Sequence, residues 1–177
     1  KLVKLLQALA FQVCNEVSYN ELGKTVGLDN ETVERYIQLL EKSFVIFRLG
    51  SFSRNLRKEL TKSNKIYFYD NGIRNSLIAN FSPVTLRQDI GSLWENFFVS
   101  ERIKHKHYND IWTNNYFWRT HDQQEIDFIE EIDGKLIAYE IKWNKNRKPY
   151  LSKTFSQAYP NNEFHVINPE NIENFIM

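Results

Sequence analysis

The sequence predicts an α/β (α+β) chain in two parts: a winged helix-turn-helix, then an α/β domain built on a mixed sheet. Three observations predict it. Residues 1–42 carry apolar positions at helical spacing, punctuated by capping residues and a glycine stop. Two runs rich in β-branched and aromatic residues, VIFRLG (45–50) and KIYFYD (65–70), flank a basic, irregular segment. From Asp89 onward the order of patterns is α-β-β-β-α-β.

In residues 1–14, Leu2, Leu5, Leu6 and Leu9 recur at helical spacing. VSYNELGKTVGL predicts a short helix over about 19–26, capped at Ser18 or Asn20 and stopped at Gly27. Asn30 is the expected cap of a longer helix striped by Val33, Tyr36, Ile37 and Leu40. Helix, short helix, turn and longer helix is the helix-turn-helix order, and the two β-like runs add the wing. A turn at Asp70-Asn71-Gly72 leads into the helical IRNSLIANF, and Pro83 opens a loop. The expected domains are 1–84 and 85–177. The second begins with a long helix carrying Ile90, Leu93, Trp94, Phe97, Phe98 and Ile103, ending near residue 106. NYFWRT, QEIDFIEEI and KLIAYEIKW read as strands, residues 149–158 as a helix, and EFHVI as a last short strand. Trp94, Phe97, Phe98, Trp112, Phe117 and Trp118 are expected in the core.

At 177 residues, 42% of them hydrophobic, the chain can bury sizeable cores. No apolar run approaches the ~18 residues of a membrane span, so a cytoplasmic address is expected. Cys14 is the sole cysteine, which excludes an intramolecular disulfide and a cysteine-based zinc site. The chain starts at Lys1 rather than Met, as a fragment of a longer protein would. LGKT (22–25) is not a phosphate-binding loop, because the motif needs glycine where Ser18 stands; this chain is not expected to bind ATP.

The stretch EIDFIEEIDGKLIAYEIKW (125–143) carries the chemistry. Asp133-Gly134 is the pair that two-residue hairpin turns favour, and pairing outward from it sets Asp127 opposite Glu140 and Lys142 opposite Glu125. Ile126, Phe128, Ile132, Ile137, Tyr139 and Ile141 then form a wholly apolar face. Like charges across a ladder repel, so a cation is expected between Asp127 and Glu140. Two readings fit. In one, a divalent ion with oxygen ligands sits there and Lys142 assists attack at phosphorus. In the other, Asp127 is solvent-exposed at a sheet edge while Lys142 forms an ordinary cross-strand salt bridge with Glu125 or Glu140.

Asp127, then Glu140-Ile141-Lys142, preceded by Glu95 in GSLWENFFVSERI, resembles the PD-(D/E)XK nuclease-like superfamily. More closely, SYNELGKTVGLDNETVERYIQLLEKSFVIFRL, IYFYDNGIRNSL and the stretches just quoted resemble the C-terminal half of a group of prokaryotic P-loop ATPases. Those proteins carry a winged helix and then a restriction-endonuclease-like domain of unknown function. The resemblance covers nearly the whole chain and implies an AAA-type ATPase domain upstream. It implies Asp127, Glu140 and Glu95 as ligands of Mg²⁺ or Mn²⁺ and Lys142 as the catalytic lysine. Ile126 replaces the usual proline before the aspartate, and a helix residue often used after the lysine is either Gln157 or absent.

The helix after the turn is a poor DNA-reading face, with Glu31, Glu34 and Glu41 against Arg35 and Lys42. Basic residues cluster instead at Arg48, Arg54, Arg57, Lys58, Lys62 and Lys65, and again at Lys142, Lys145, Arg147, Lys148 and Lys153. Two such clusters, one beside the proposed metal site, make DNA the leading partner. His105 and His107 place favourable charge at a helix C-terminus. Three functions remain open on the sequence: a Mg²⁺-dependent nuclease, a non-catalytic DNA-binding module serving an upstream ATPase, and a protein-interaction or oligomerisation surface of it.

Overall fold

The computed structural model describes residues 1–54, 64–147 and 149–177. Lys1–Leu49 with the residues from Asn64 to Ser100 form one compact unit, and Gly50–Arg54 with Glu101–Met177 form a second. The expected residues Arg57, Lys58, Lys62 and Lys148 lie outside the described residues. No helix among the described residues is long and apolar enough to cross a membrane.

The first unit opens with α1 (Leu2–Phe11), β1 (Glu16–Val17), α2 (Tyr19–Val26) and α3 (Asn30–Lys42). Ser18 caps α2 by accepting from the Glu21 N–H, and Gly27 ends it in the left-handed conformation, φ 70°. The cap of α3 is Asp29, one residue before the expected Asn30. Its carboxylate accepts from the Thr32 N–H at 2.8 Å and from the Thr32 hydroxyl at 2.7 Å, using both oxygens where asparagine has one acceptor. Leu5, Leu9, Leu22, Val33, Ile37 and Leu40 are buried. Strands β2 (Ile46–Ser51) and β3 (Asn64–Phe68) follow, and β1, too short to show a period, pairs antiparallel with β3. The strand order is β1-β3-β2. Asn71 and Gly72, expected in a turn, already belong to α4 (Asn71–Leu77), because the Asp70 carboxylate caps it through the Ile73 N–H.

The helix α5 (Ile90–Tyr108) contributes its first part to this unit and its last part to the second. In the first unit, Asn96, fully buried, accepts from the Phe68 N–H and donates to the Phe68 carbonyl. Its side chain thus pairs the backbone end of β3 as another strand would.

The second unit is a sheet of β4 (Asn114–Arg119), β5 (Glu125–Ile132), β6 (Lys135–Ile141) and β7 (Asn162–Ile167), with Gly50 and Ser51 of β2 pairing parallel to β4. The pairs β4·β5 and β5·β6 are antiparallel and β6·β7 is parallel, so the sheet is mixed. One face packs Trp118, Ile126, Ile129, Leu136 and Ala138 on Phe155 of α6 (Lys153–Ala158), with Phe52. The helix is shorter than the expected 149–158 and starts at the Ser152 cap. The opposite face carries Phe128 and Tyr139 towards the end of α5 and the short α7 (Glu173–Ile176), where Phe175 meets the Tyr139 ring edge-on.

Two expectations about that second face fail. Ile126 joins the α6 side, because the β4·β5 register shifts between the Tyr116–Ile129 and Trp118–Ile126 pairs; an extra β5 residue inverts the alternation there. The face is also not wholly apolar. Glu130 stands in it with no exposed surface, its carboxylate bound by Arg102 Nε and Nη2 at 2.9 Å each, by Lys106 Nζ at 2.6 Å and by the Tyr139 hydroxyl at 2.9 Å. Among the aromatics expected in the core, Trp94, Phe98, Phe117 and Trp118 are buried, whereas Phe97 is half-exposed and Trp112, beyond the end of α5, is 91% exposed.

Candidate functional site

The β5–β6 hairpin turns through Asp133 and Gly134, both at positive φ (49° and 77°), the backbone that a two-residue hairpin of right-handed twist demands. Its register is the expected one, running from Ile132 opposite Lys135 to Phe128 opposite Tyr139. There the paired ladder ends. The next two residues are Asp127 and Glu140, and beside the irregular stretch of β5 the Asp127 side chain takes over from the backbone. Its Oδ2 accepts the Ile141 N–H at 2.7 Å. A bulge re-aiming a side chain at the end of a ladder is the local reason Asp127 faces β6.

Lys142 supplies the cation expected between the acids. Its Nζ lies 3.2 Å from Asp127 Oδ2 and 2.7 Å from Glu140 Oε1. The backbone N–H of Lys142 donates to the Ile167 carbonyl at 2.8 Å, which pins the residue at the end of the parallel β6·β7 pair. Asp127 is buried and the other two are partly so. Burial, and then the charge of Asp127, push the Glu140 carboxyl above its usual range, with Lys142 pulling the other way. Burial works to lower the Lys142 ammonium, but Asp127 and Glu140 outweigh it and hold it raised. The triad therefore carries one net negative charge when fully ionised, in a setting that disfavours a second.

The remaining acid expected in the site, Glu95, lies on α5 in the first unit, where it accepts from the Tyr67 hydroxyl at 2.7 Å and pairs with Lys65 at 3.5 Å. Among the described residues no group of three or more His, Cys, Asp or Glu side chains is placed to hold a metal ion. The pair of carboxylates at Asp127 and Glu140 is what the second unit itself assembles.

The expected nucleic-acid contacts divide. Arg48 is spent inside the first unit: its guanidinium holds both oxygens of Glu41, at 2.8 and 2.7 Å, and donates to the Tyr19 hydroxyl at 3.0 Å. Desolvation works against its charge, yet Glu41 and Tyr19 hold its pKa raised. Lys145 is exposed but paired with Glu170. Arg54 is exposed with its guanidinium 5.7 Å from the Tyr159 ring, and Arg147 is exposed. A charge count along the sequence shows the density of cations but not the acids that fold against them.

An open cleft of about 660 Å³ adjoins Glu140 in the second unit, lined among others by Glu125, Tyr150, Ser152, Lys153 and Thr154. The sequence marks Glu125 and Lys153 by hairpin register and basic clustering, but nothing in the spacing marks Tyr150, Ser152 or Thr154. The cleft exists because the loop after Lys142 returns to the end of β5, where Ser152 hydrogen-bonds Gln124.

Residues 1–84 match the model of a domain of unknown function (DUF8612), and residues 90–174 match that of another (DUF4143). The chain is similar to uncharacterized proteins of Mycobacterium bovis and Mycobacterium tuberculosis, each 26% identical over 140 residues that cover 78% of this chain and 30% of the relative. An uncharacterized protein of Haemophilus influenzae is 23% identical over 141 residues, 77% of this chain and 32% of its own. The chain thus spans about a third of the length of these relatives. No solved structure matches it.

Proposed function

We propose that the second unit carries a divalent-cation-dependent phosphodiester hydrolysis site on a restriction-endonuclease-like fold, and that the first unit is a winged helix. DNA is the proposed substrate, and an AAA-type ATPase region elsewhere in the same protein the proposed neighbour. The observation that carries the reading is the convergence of the Asp127 and Glu140 carboxylates on the Lys142 ammonium beyond a two-residue turn. The helix order α1, α2, α3 with strands in the order β1-β3-β2 supports the winged-helix part.

Mg²⁺ or Mn²⁺ fits this donor set. Both are hard cations commonly held by one or two carboxylates, with water and phosphate oxygens filling the other positions, so a third protein acid is not required. When bound, such an ion lowers the pKa of a coordinated water and polarises a phosphoryl oxygen. Asp127, fixed through the Ile141 N–H, presents an oriented ligand that needs no reorganisation. Glu140 would supply the second oxygen ligand, and a bound cation would offset the burial and the Asp127 charge that hold its carboxyl above its usual range. Lys142, relieved of neutralising the carboxylates, is positioned to stabilise the negative charge that develops on the phosphoryl oxygens.

A second reading has its own observation. With Lys142 in contact with both acids and Asp127 closing the ladder, the triad also forms a satisfied network that stabilises the hairpin without chemistry. The unit is then a non-catalytic DNA-binding or protein-interaction module that regulates an ATPase. Nicking of plasmid or branched DNA in Mg²⁺ or Mn²⁺ separates the two. Hydrolysis by the wild type that disappears in Asp127→Ala, Glu140→Ala and Lys142→Ala supports the first reading, and Glu95→Ala tests the role the resemblance gives that residue. DNA binding with no cleavage in either ion supports the second.

A further inference from the structure

The cleft beside Glu140 has a feature that phosphodiester chemistry alone does not require. Tyr150 forms part of its lining, and the residue is 86% exposed. Its ring is open to water at the cleft, unlike that of Phe155, fully buried five residues on, so its face is free to take a ligand. Lys153, also exposed, lines the same cleft, and Arg147, exposed, precedes Tyr150 by three residues, whereas Lys145 is paired with Glu170. Cationic side chains that track a backbone, interleaved with an open aromatic face, are the two components from which single strands are gripped. The cleft volume of about 660 Å³ lies within the roughly 300–1,000 Å³ of sites that enclose a small organic group, so it has room for a nucleoside unit.

We propose that this cleft is a base-binding subsite in which Tyr150 stacks on an unpaired base, so that the preferred ligand is single-stranded or frayed nucleic acid. In an intact duplex both faces of each internal base are covered by its neighbours, and a side chain at the edge of a cleft reaches no free π-face. The proposal rests on the hydrolysis reading only for the identity of the polymer: Glu140 and Tyr150 line one cleft, so a base on Tyr150 belongs to the strand presented to the carboxylates.

The test is anisotropy of a short labelled oligonucleotide, single-stranded and as its duplex, in EDTA, where nothing is cut. Wild type, Tyr150→Ala and Tyr150→Phe are compared. The wild type should prefer the single strand, and Tyr150→Ala should weaken that binding roughly 5- to 150-fold while leaving the duplex affinity unchanged. Tyr150→Phe should bind like the wild type, because the ring and not the hydroxyl is used. Equal single-strand binding by wild type and Tyr150→Ala overturns the proposal. So does an equal loss for both ligands, or a wild type that fails to bind single strands. The exposure of Tyr150 makes a folding defect in these variants unexpected, and an unchanged melting curve controls for one. The hydrolysis reading fails separately. Tyr150-dependent binding without cleavage in Mg²⁺ or Mn²⁺ removes it and leaves the subsite; cleavage that Tyr150→Ala does not alter, with unchanged binding, does the reverse.

Discussion

Removing the Glu130 carboxylate should be the most damaging single change in the second unit. Glu130→Ala takes away four contacts at once, two from Arg102, one from Lys106 and one from the Tyr139 hydroxyl, in a place with no exposed surface. Arg102 and Lys106 are left as neighbouring cations with side chains only 15% and 3% exposed. Breaking a buried pair in this way costs about 3–5 kcal/mol, because the remaining charge is desolvated and uncompensated. For a chain of this size that corresponds to a melting temperature lowered by roughly 6–20 °C. Arg102 cannot shed its proton, but Lys106 can, and burial already lowers its ammonium against the pull of Glu130. Without Glu130 the folded state binds fewer protons at Lys106 than the unfolded state, between the depressed pKa and the ordinary ~10.5. Stability of the variant should therefore rise with pH through that window, more steeply than that of the wild type. Urea unfolding followed by circular dichroism at about pH 7 and about pH 9 measures both effects. A variant as stable as the wild type at both pH values would refute the reasoning, and the network would have to be written off as an energetically idle cluster.

Three further outcomes follow from single positions. Arg48→Ala should cost about 1.5–3 kcal/mol in denaturant unfolding, through loss of its charge-assisted bonds to Glu41, and should leave DNA affinity unchanged, since that guanidinium is already occupied. Gly134→Ala, at φ 77°, should destabilise by about 1 kcal/mol or more, whereas Gly91→Ala on α5, where an added Cβ meets nothing within 4 Å, should stabilise by about 0.5–1 kcal/mol; opposite shifts in urea midpoint check the pair. Asp89 has its pKa lowered to about 2, chiefly by Arg87 against the opposing effect of burial and with Arg74 adding to it. Its contribution is present above the ordinary carboxylate pKa of 3.8 and is lost as pH falls through about 2, so Asp89→Asn should flatten the acid limb of the stability profile in that interval.

The hairpin register was legible because it is local. Asp-Gly is selected by positive φ at both turn positions, and the pairing outward from it is then fixed through Phe128 and Tyr139. Its end was not legible. The irregularity that inverts Ile126 and turns Asp127 towards the Ile141 N–H arises from pairing with β4, a partner that nothing in residues 125–143 specifies. Glu130 could have been noticed as an acid at an apolar position, and Arg102 and Lys106 stand four apart on a helix, but only the packing of α5 on the sheet connects them. The same limit applies to the basic segments. Arg48 follows Glu41 by seven residues, and their bidentate contact depends on the turn between α3 and β2. Trp112 kept its aromatic weight in the pattern although α5 ends at Tyr108 and leaves it exposed.

Calorimetric titration of Mn²⁺ into the wild type, Asp127→Ala, Glu140→Ala and Lys142→Ala tests the central claim most directly. The wild type should bind the ion, and Asp127→Ala and Glu140→Ala should not, because each removes one of the two carboxylates in the site. Lys142→Ala should bind at least as tightly as the wild type, since it removes the ammonium that contacts both acids at 3.2 and 2.7 Å, while nicking no DNA. A silent wild-type titration, or an Asp127→Ala variant that binds Mn²⁺ as the wild type does, would contradict the assignment of these carboxylates to a catalytic cation.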